Sequence, residues 1–163
     1  IGEYGESNRV QAFDKNFKFL RQIGKTGQGD GEFERPQSIA VVGKELYVAD
    51  ACNNRIQVFT LDGTLLRVMG KTGGAPGEFR FPYGLELDAN DNLIVTEFGN
   101  MRVQRIDRAT GKALGTWGTI GKLPGELANP WAAAVDNSGR VVVVDAGNNR
   151  LQVIDGSQLR IAE

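Results

Sequence analysis

The stretch GEFERPQSIAVVGKELYVADACNNRIQVFTLDGTLLRVMG, residues 31–70, decides the fold of this 163-residue chain. It contains four short apolar runs separated by turn residues, which is typical of a four-stranded antiparallel meander. The runs predict strands over Ser38–Val42, Glu45–Asp50, Arg55–Thr60 and Thr64–Met69. In the third run the apolar Ile56 and Val58 alternate with the polar Gln57, as expected for a strand with one buried face.

The same pattern recurs along the chain. Four segments align on an arginine: GESNRVQAFD at Arg9, ACNNRIQVFT at Arg55, FGNMRVQRID at Arg102 and AGNNRLQVID at Arg150. A second landmark, Gly-Glu-Phe or Gly-Glu-Leu followed by a proline, keeps the same period of 46 to 48 residues. A repeat of about 40 to 50 residues built from four strands is typical of a propeller blade. The sequence therefore predicts an all-β propeller made of four-stranded antiparallel blades.

These repeats resemble the NHL-repeat family of β-propellers. The resemblance is carried by GEFERPQSIAV with LYVADACNNRIQVF, GEFRFPYGLEL with LIVTEFGNMRVQRID, and GELANPWAAAV with VVVVDAGNNRLQVID and LRIAE, and it covers nearly the whole chain. It implies a ring of about six blades, of which this chain would supply about three and a half. The boundaries expected are the end of one blade in residues 1–24, then blades in 25–70, 71–118 and 119–163, fourteen strands in all.

The first 24 residues are predicted to hold only two strands, Arg9–Phe13 and Phe19–Ile23, after a loop at Glu3-Tyr4-Gly5. An incomplete arc leaves an apolar blade face at each end, and repeat stacks need a neighbour or a polar cap there. The remaining blades of a longer parent chain, or self-association, would supply that neighbour. Two copies of this chain would leave orphan hairpins that fit a ring badly, so a segment of a longer propeller is favoured over a half ring.

Composition excludes several classes of function. The sequence has no histidine, so a Ser-His-Asp or Cys-His device is impossible and most zinc enzymes are disfavoured. With 19 Lys and Arg against 20 Asp and Glu, the chain lacks the positive excess that tracks a phosphate backbone, which disfavours nucleic acid as a partner. The single cysteine, Cys52, cannot form an intramolecular disulfide. We expect no cofactor, no metal site, no catalytic residue and no membrane insertion in this segment.

One rim of the propeller is the candidate binding surface. It carries the long glycine-rich loops Lys25–Arg35, Lys71–Phe81 and Thr119–Asn129, together with the short loops Ala51–Asn54, Phe98–Met101 and Ala146–Asn149. Long loops on a rigid scaffold are where binding usually concentrates. The residues just after each proline, Gln37, Tyr83 and Trp131, should surround the mouth of the central channel. They either contact a ligand there, the aromatic ones by stacking, or pack between blades and plug the channel.

An acidic residue stands five positions before three of the four repeated arginines, and Glu3 stands six positions before Arg9. The pairs are Asp50 with Arg55, Glu97 with Arg102, and Asp145 with Arg150. Because they recur in every unit, they are interpreted as structural pairs that fix loop geometry, with a ligand-binding ring of arginines as the alternative. Phe33, Phe79 and Leu127, from the Gly-Glu-Phe or Gly-Glu-Leu landmark, are predicted to be apolar plugs between neighbouring blades.

Three functions are weighed. The favoured one is a non-catalytic scaffold that presents the long-loop rim to a protein, peptide or glycan. The first alternative is part of a metal-dependent lyase or lactone-hydrolase propeller whose ligands lie in other blades, because the family that the repeats resemble includes a zinc-dependent lyase. The second is an RNA-binding NHL domain. The segment itself is expected not to be an enzyme. The activity and compartment of a longer parent protein stay open. For a bacterial parent, an extracytoplasmic location is favoured.

Overall fold

The computed structural model describes residues 1–159, and within them it is almost entirely β-structure. There are two short 3-10 helices in these residues: Ala146–Asn148 lies between the last two strands, and Gly156–Gln158 follows the last strand. The strands are β1 (Gly2–Glu3), β2 (Arg9–Phe13), β3 (Phe19–Ile23), β4 (Pro36–Val42), β5 (Glu45–Asp50), β6 (Arg55–Thr60), β7 (Leu65–Met69), β8 (Pro82–Leu87), β9 (Leu93–Glu97), β10 (Arg102–Ile106), β11 (Ala113–Trp117), β12 (Thr119–Ile120), β13 (Glu126–Leu127), β14 (Pro130–Val135), β15 (Arg140–Asp145) and β16 (Arg150–Asp155). None of the helices in this part of the chain is long and apolar enough to cross a membrane.

The two central sheets are four-stranded antiparallel meanders. One has the order β4-β5-β6-β7 and the other β8-β9-β10-β11. Each strand pairs with the one that follows it in sequence, because the intervening turns are too short to allow any other partner. The prediction of all-β, four-stranded blades is confirmed, and the sheets form an incomplete propeller with no closed barrel.

The first and last sheets have three strands each, β1-β2-β3 and β14-β15-β16. The prediction of two strands in residues 1–24 was wrong, because Gly2–Glu3 forms a short third strand in place of the expected loop. Glu3 pairs with Arg9 as Asp50 pairs with Arg55, so the repeat extends one strand earlier than its apolar pattern shows. The closing strand predicted near the end of residues 119–163 falls mainly on residues 160–163, which lie outside the described residues.

The three long loops share one folded form. Phe33 N–H donates to Lys25 O at 2.8 Å, and Phe79 N–H donates to Lys71 O at 2.8 Å. Parallel bridges at Phe33 and Phe79, and the parallel pair β12-β13 at Leu127, close all three loops in the same way. The loops therefore belong to the repeating architecture.

Each loop places one apolar side chain between two sheets. Phe33, Phe79 and Leu127 are completely buried, and each belongs to a different apolar cluster of the core. Burying a side chain of this size contributes roughly 2 to 3 kcal/mol, so each plug helps to hold neighbouring blades together. Their predicted role is confirmed.

A glycine makes room for each plug. Gly70 has φ of +78°, and a Cβ atom at this position would overlap the ring of Phe79. The backbone therefore needs a residue that tolerates positive φ and carries no side chain. The same arrangement holds for Gly24 beside Phe33 and for Gly118 beside Leu127.

Candidate binding site at the long-loop rim

A buried carboxylate lies beneath the long-loop rim in each of the three later blades. In the sheet β8-β9-β10-β11 this group is Glu97, the last residue of β9, which is completely buried. Its carboxylate accepts hydrogen bonds from Arg102 Nε at 2.5 Å and from Gln104 Nε2 at 2.7 Å. It also accepts from Asn100 Nδ2 at 2.6 Å and from the backbone N–H of Arg80 at 2.9 Å. Four donors on one carboxylate satisfy its charge inside the protein, as a buried ion requires.

The same set recurs in the neighbouring blades. Arg55 Nε lies 2.8 Å from Asp50, and Arg150 Nε lies 2.7 Å from Asp145. Each carboxylate again accepts from a glutamine, an asparagine and a backbone N–H; the side chains are Gln57 and Asn53 for Asp50, and Gln152 and Asn148 for Asp145. The structure thus brings together every acid-arginine pair that the sequence singled out. It also adds the glutamine and asparagine partners, which the sequence analysis did not predict.

Hydrogen bonds keep the buried acid ionised. Burial raises the pKa of Asp145, but hydrogen bonds from the backbone N–H of Ala128, from Asn148 and from Arg150 outweigh it and leave that pKa below its usual value. A carboxylate that accepts several hydrogen bonds stays charged because its anionic form is the one the donors stabilise. The contact of Asp145 with Arg150 is therefore an ionic one at neutral pH.

The arginines extend this network into the long loops. From Arg102, the terminal nitrogens donate to Gly74 O at 2.6 Å and to Glu78 O at 2.9 Å. Gln104 joins them by donating to Glu78 O at 2.9 Å. The guanidinium thus connects the end of β9 to the loop that precedes the same blade, which holds that loop in place. Since the donors are used on backbone carbonyls, the arginines act within the fold in this geometry.

A second repeated contact joins neighbouring blades. Asn8 Oδ1 accepts from the backbone N–H of Arg35 at 2.9 Å, and Asn54 Oδ1 accepts from the backbone N–H of Phe81 at 2.8 Å. At the next interface the acceptor is a thioether: Met101 Sδ accepts a hydrogen bond from the backbone N–H of Asn129 at 3.0 Å. Met101 has φ of +51°, a left-handed conformation that asparagine adopts more readily than methionine.

The three predicted channel-mouth residues lie on the inner strands of the arc. β4 packs beside β8, and β8 packs beside β14. The register of each inner strand shifts just after its proline, so that Gln37, Tyr83 and Trp131 stand outside the regular ladder. Such bulges re-aim a side chain and are frequent next to binding sites.

The residues at this position differ from repeat to repeat, and two of them, Tyr83 and Trp131, form an aromatic surface. Tyr83 stacks on Phe98 with ring centroids 4.8 Å apart and meets Trp131 edge-on at 5.2 Å. The ring of Phe98 also lies 6.2 Å from that of Trp131. Tyr83 is 6% exposed, whereas Trp131 keeps 43% of its surface exposed. Trp131 is thus held in place from one side and open on the other.

Arg35 lies beside this aromatic surface. Its guanidinium carbon is 5.2 Å from the ring centroid of Tyr4 and 5.1 Å from that of Tyr83, a cation-π contact on two rings. Its Nε donates to Gln37 Oε1 at 3.2 Å. We call the group of Arg35, Tyr83, Phe98 and Trp131 the aromatic-arginine surface.

Sequence reasoning missed two of its members, Arg35 and Phe98. Arg35 stands where the other repeats have Phe81 and Asn129, and Phe98 stands where two of the other repeats have alanine and the first has Tyr4. Both are positions at which the repeats differ on the candidate rim. A search for non-repeating residues at otherwise repeating rim positions would have found them.

The opposite rim holds a cluster of charges that joins two blades. Arg67 donates to both oxygens of Glu45, at 2.7 and 3.1 Å, and Arg108 from the next blade approaches the same carboxylate at 3.4 Å. Hydrogen bonds from Arg67, followed by one from Tyr47, lower the pKa of Glu45 to about 2. These groups bind one another across the two blades, although Arg67 Nε is buried without a hydrogen-bond partner among the described residues. Among residues 1–159, no three His, Cys, Asp or Glu side chains lie together so that they could hold a metal ion.

Comparison with known proteins agrees with this architecture. The NHL repeat family model matches residues 33–59 and 127–154. A search of curated protein sequences gave no match. With the sheet topology, the family matches show a partial propeller that carries NHL repeats.

Solved structures share the fold at low sequence identity. A catalytically inactive variant of virginiamycin B lyase from Staphylococcus aureus with quinupristin aligns with a TM-score of 0.65 at 18% identity, covering 92% of this chain and 46% of that chain. The selenomethionine-substituted form of the same lyase gives 0.67 at 19% identity, covering 91% and 46%. The WD40 β-propeller domain of Doa1 gives 0.62 at 17% identity, again with 91% and 46%. The chain therefore spans about half the length of these propellers, and the likeness shows the fold alone.

Proposed function

We propose that this propeller segment is a non-catalytic binding scaffold that presents the aromatic-arginine surface on its long-loop rim to a protein, peptide or glycan ligand. The observation that carries the proposal is the contrast between two kinds of position on that rim. Loops, buried carboxylates and arginine forks repeat from blade to blade, while the side chains on the inner-strand bulges do not. Contacts that recur in every blade stabilise the fold, whereas residues that occur once can form a surface that is specific for one ligand.

The repeated network supports binding by keeping the rim rigid. Each long loop is tied to its blade by an arginine and a glutamine, as Arg150 and Gln152 tie Glu126 O at 2.8 and 2.6 Å. A surface that is already ordered loses little conformational entropy when a ligand binds. The aromatic side chains therefore need not be reorganised on binding.

The open face of Trp131 supports a role in contact with a ligand. Its exposed area lies next to the buried ring of Tyr83 and the half-buried ring of Phe98, so part of the indole is fixed while the rest faces outward. Aromatic rings at such positions stack on sugars and apolar side chains, and they contribute much of the free energy of binding in interfaces.

The test compares Trp131→Ala with Trp117→Phe in ligand screening by NMR. The probes are a panel of oligosaccharides, a pool of short peptides and quinupristin, the compound held by one similar structure. We expect binding to shift the indole N–H signal of Trp131 and to be lost in Trp131→Ala, while Trp117→Phe binds normally. Binding that is equal in wild type and Trp131→Ala would contradict the proposed site. A probe recovered with a broken bond would contradict the non-catalytic role.

A further inference from the structure

Arg35 differs from the other partly buried arginines of this protein. Within residues 1–159, each of the other partly buried arginines has a carboxylate within ion-pair distance; these are Arg9, Arg55, Arg67, Arg102, Arg105, Arg108 and Arg150. Arg35 is half-buried and has none in that part of the chain. Removing a charge from water is unfavourable unless an opposite charge compensates it. Among the partly buried arginines of the described residues, Arg35 is therefore the one whose positive charge has no carboxylate partner.

The contacts of Arg35 leave part of its guanidinium free. The rings of Tyr4 and Tyr83 lie close to the group, and its Nε is used on Gln37. Its two terminal nitrogens make no hydrogen bond to any of residues 1–159, and they are not sealed from solvent. A planar guanidinium with two free terminal nitrogens is suited to bind a carboxylate through two parallel hydrogen bonds.

Trp131 lies close enough to share a ligand with Arg35. Both groups contact the ring of Tyr83, at 5.1 and 5.2 Å, so the guanidinium and the indole are within about 10 Å of each other. That distance is the length of about three residues of extended peptide. One small ligand, or one short peptide segment, can therefore reach both.

Resting on the function proposed above, we propose that Arg35 and Trp131 together recognise a ligand that carries one carboxylate and, within about 10 Å of it, an apolar or aromatic group. A single unpaired guanidinium matches the single charge of a carboxylate. Phosphate carries nearly two charges and is usually held by several donors. The carboxylate can come from an acidic side chain of a peptide or from a small organic acid, and the test has an arm for each source.

The peptide arm uses acetyl-Asp-Ala-Phe-amide and its neutral counterpart acetyl-Asn-Ala-Phe-amide. The small-molecule arm uses indole-3-acetate and indole-3-acetamide. Binding is measured as the shift of the Trp131 indole N–H signal, with Trp117 as the internal reference. We expect wild-type protein to prefer the charged member of at least one pair by about tenfold or more, the size of one charge-assisted hydrogen-bonded pair.

Two variants assign that preference to Arg35. In Arg35→Gln the preference for the charged probe should disappear, while Arg80→Gln, which removes an exposed arginine from a neighbouring loop, should keep it. Persistence of the preference in Arg35→Gln would overturn the proposal. The comparison within wild type requires no variant to fold.

The outcomes separate this inference from the proposed function. If wild-type protein binds charged and neutral probes equally well through Trp131, the carboxylate proposal is wrong and the binding surface stands. If no probe, glycan or peptide shifts the Trp131 signal, both proposals are wrong.

Discussion

Replacing Glu97 by glutamine tests whether the buried acid-arginine network is architecture or a ligand site. Glutamine keeps the size of the side chain but turns one of its two acceptor oxygens into an NH2 donor. In the native protein one oxygen accepts from Arg102 and Gln104, and the other from Asn100 and the N–H of Arg80. Either orientation of the new amide therefore leaves two donors facing a donor.

The magnitude follows from the burial of the group. Glu97 is fully buried, and the side chain of Arg102 is 11% exposed, so water cannot replace the lost acceptor. Breaking a buried pair by removing one partner costs about 3 to 5 kcal/mol. A single domain is stable by only about 5 to 15 kcal/mol, so Glu97→Gln should remove a large share of the free energy of unfolding.

The assay is urea unfolding followed by tryptophan fluorescence. For a slope of about 2 kcal/mol per molar, a loss of 3 kcal/mol lowers the midpoint by about 1.5 M. Glu6→Gln, at an exposed position, is the matched control and should stay within about 0.5 kcal/mol of wild type. A Glu97→Gln protein that unfolds at the wild-type urea concentration would refute the reasoning and favour a ligand role for these groups.

Three further predictions concern stability. Met101→Asn should raise the free energy of unfolding by about 0.5 to 1 kcal/mol, because an amide oxygen is a better acceptor for the N–H of Asn129 and asparagine tolerates positive φ. Acidification should cost stability from about pH 4.5 downwards, until the folded pKa of Glu45 near 2 is passed; the ion pair with Arg67 lowers that pKa, so its contribution is complete above the unfolded pKa and vanishes below the folded one. Gly70→Ala should cost about 3 kcal/mol, because the added Cβ overlaps a buried ring and φ is positive.

Each of these has its own control and its own contrary result, all measured by urea unfolding. For Met101→Asn, the control is the reverse change Asn54→Met, which should destabilise the protein. If Met101→Asn and Asn54→Met are equally stable, the contact to the backbone N–H of the next blade has no role in stability. For the acid dependence, Glu45→Gln should reduce the loss of stability between about pH 4.5 and pH 2. An unchanged loss in this variant would mean that other carboxylates cause it. For the third, Gly43→Ala adds a Cβ that meets nothing within 4 Å at a positive φ, and should cost only about 1 kcal/mol; an equal loss at both glycines would contradict the packing argument.

The sequence determined the blade almost completely. β5 and β6 begin and end where the apolar pattern placed them, since local alternation and short turns allow each strand one partner. The plugs at Phe33, Phe79 and Leu127 were equally predictable, because a large apolar residue repeated at the start of each unit has to be buried. The short strand at Gly2–Glu3 was missed because two residues carry no periodicity.

The candidate site depended far more on tertiary structure. Repetition of Glu97 and Arg102 predicted their pairing, but Gln104 and Asn100 join the same carboxylate only because the loop and the strand end meet there. Tyr83 and Trp131 were singled out individually, and their mutual contact across two blades was not.

Arg35 shows most clearly what could not be predicted from the sequence. It is separated in sequence from Trp131 by more than two full repeats, and no local pattern relates them. Their proximity arises because inner strands of successive blades lie side by side and the bulge after each proline turns one side chain out of the ladder. The sequence specifies each blade through short-range contacts, whereas the surface formed by residues of different blades exists only once those blades have stacked.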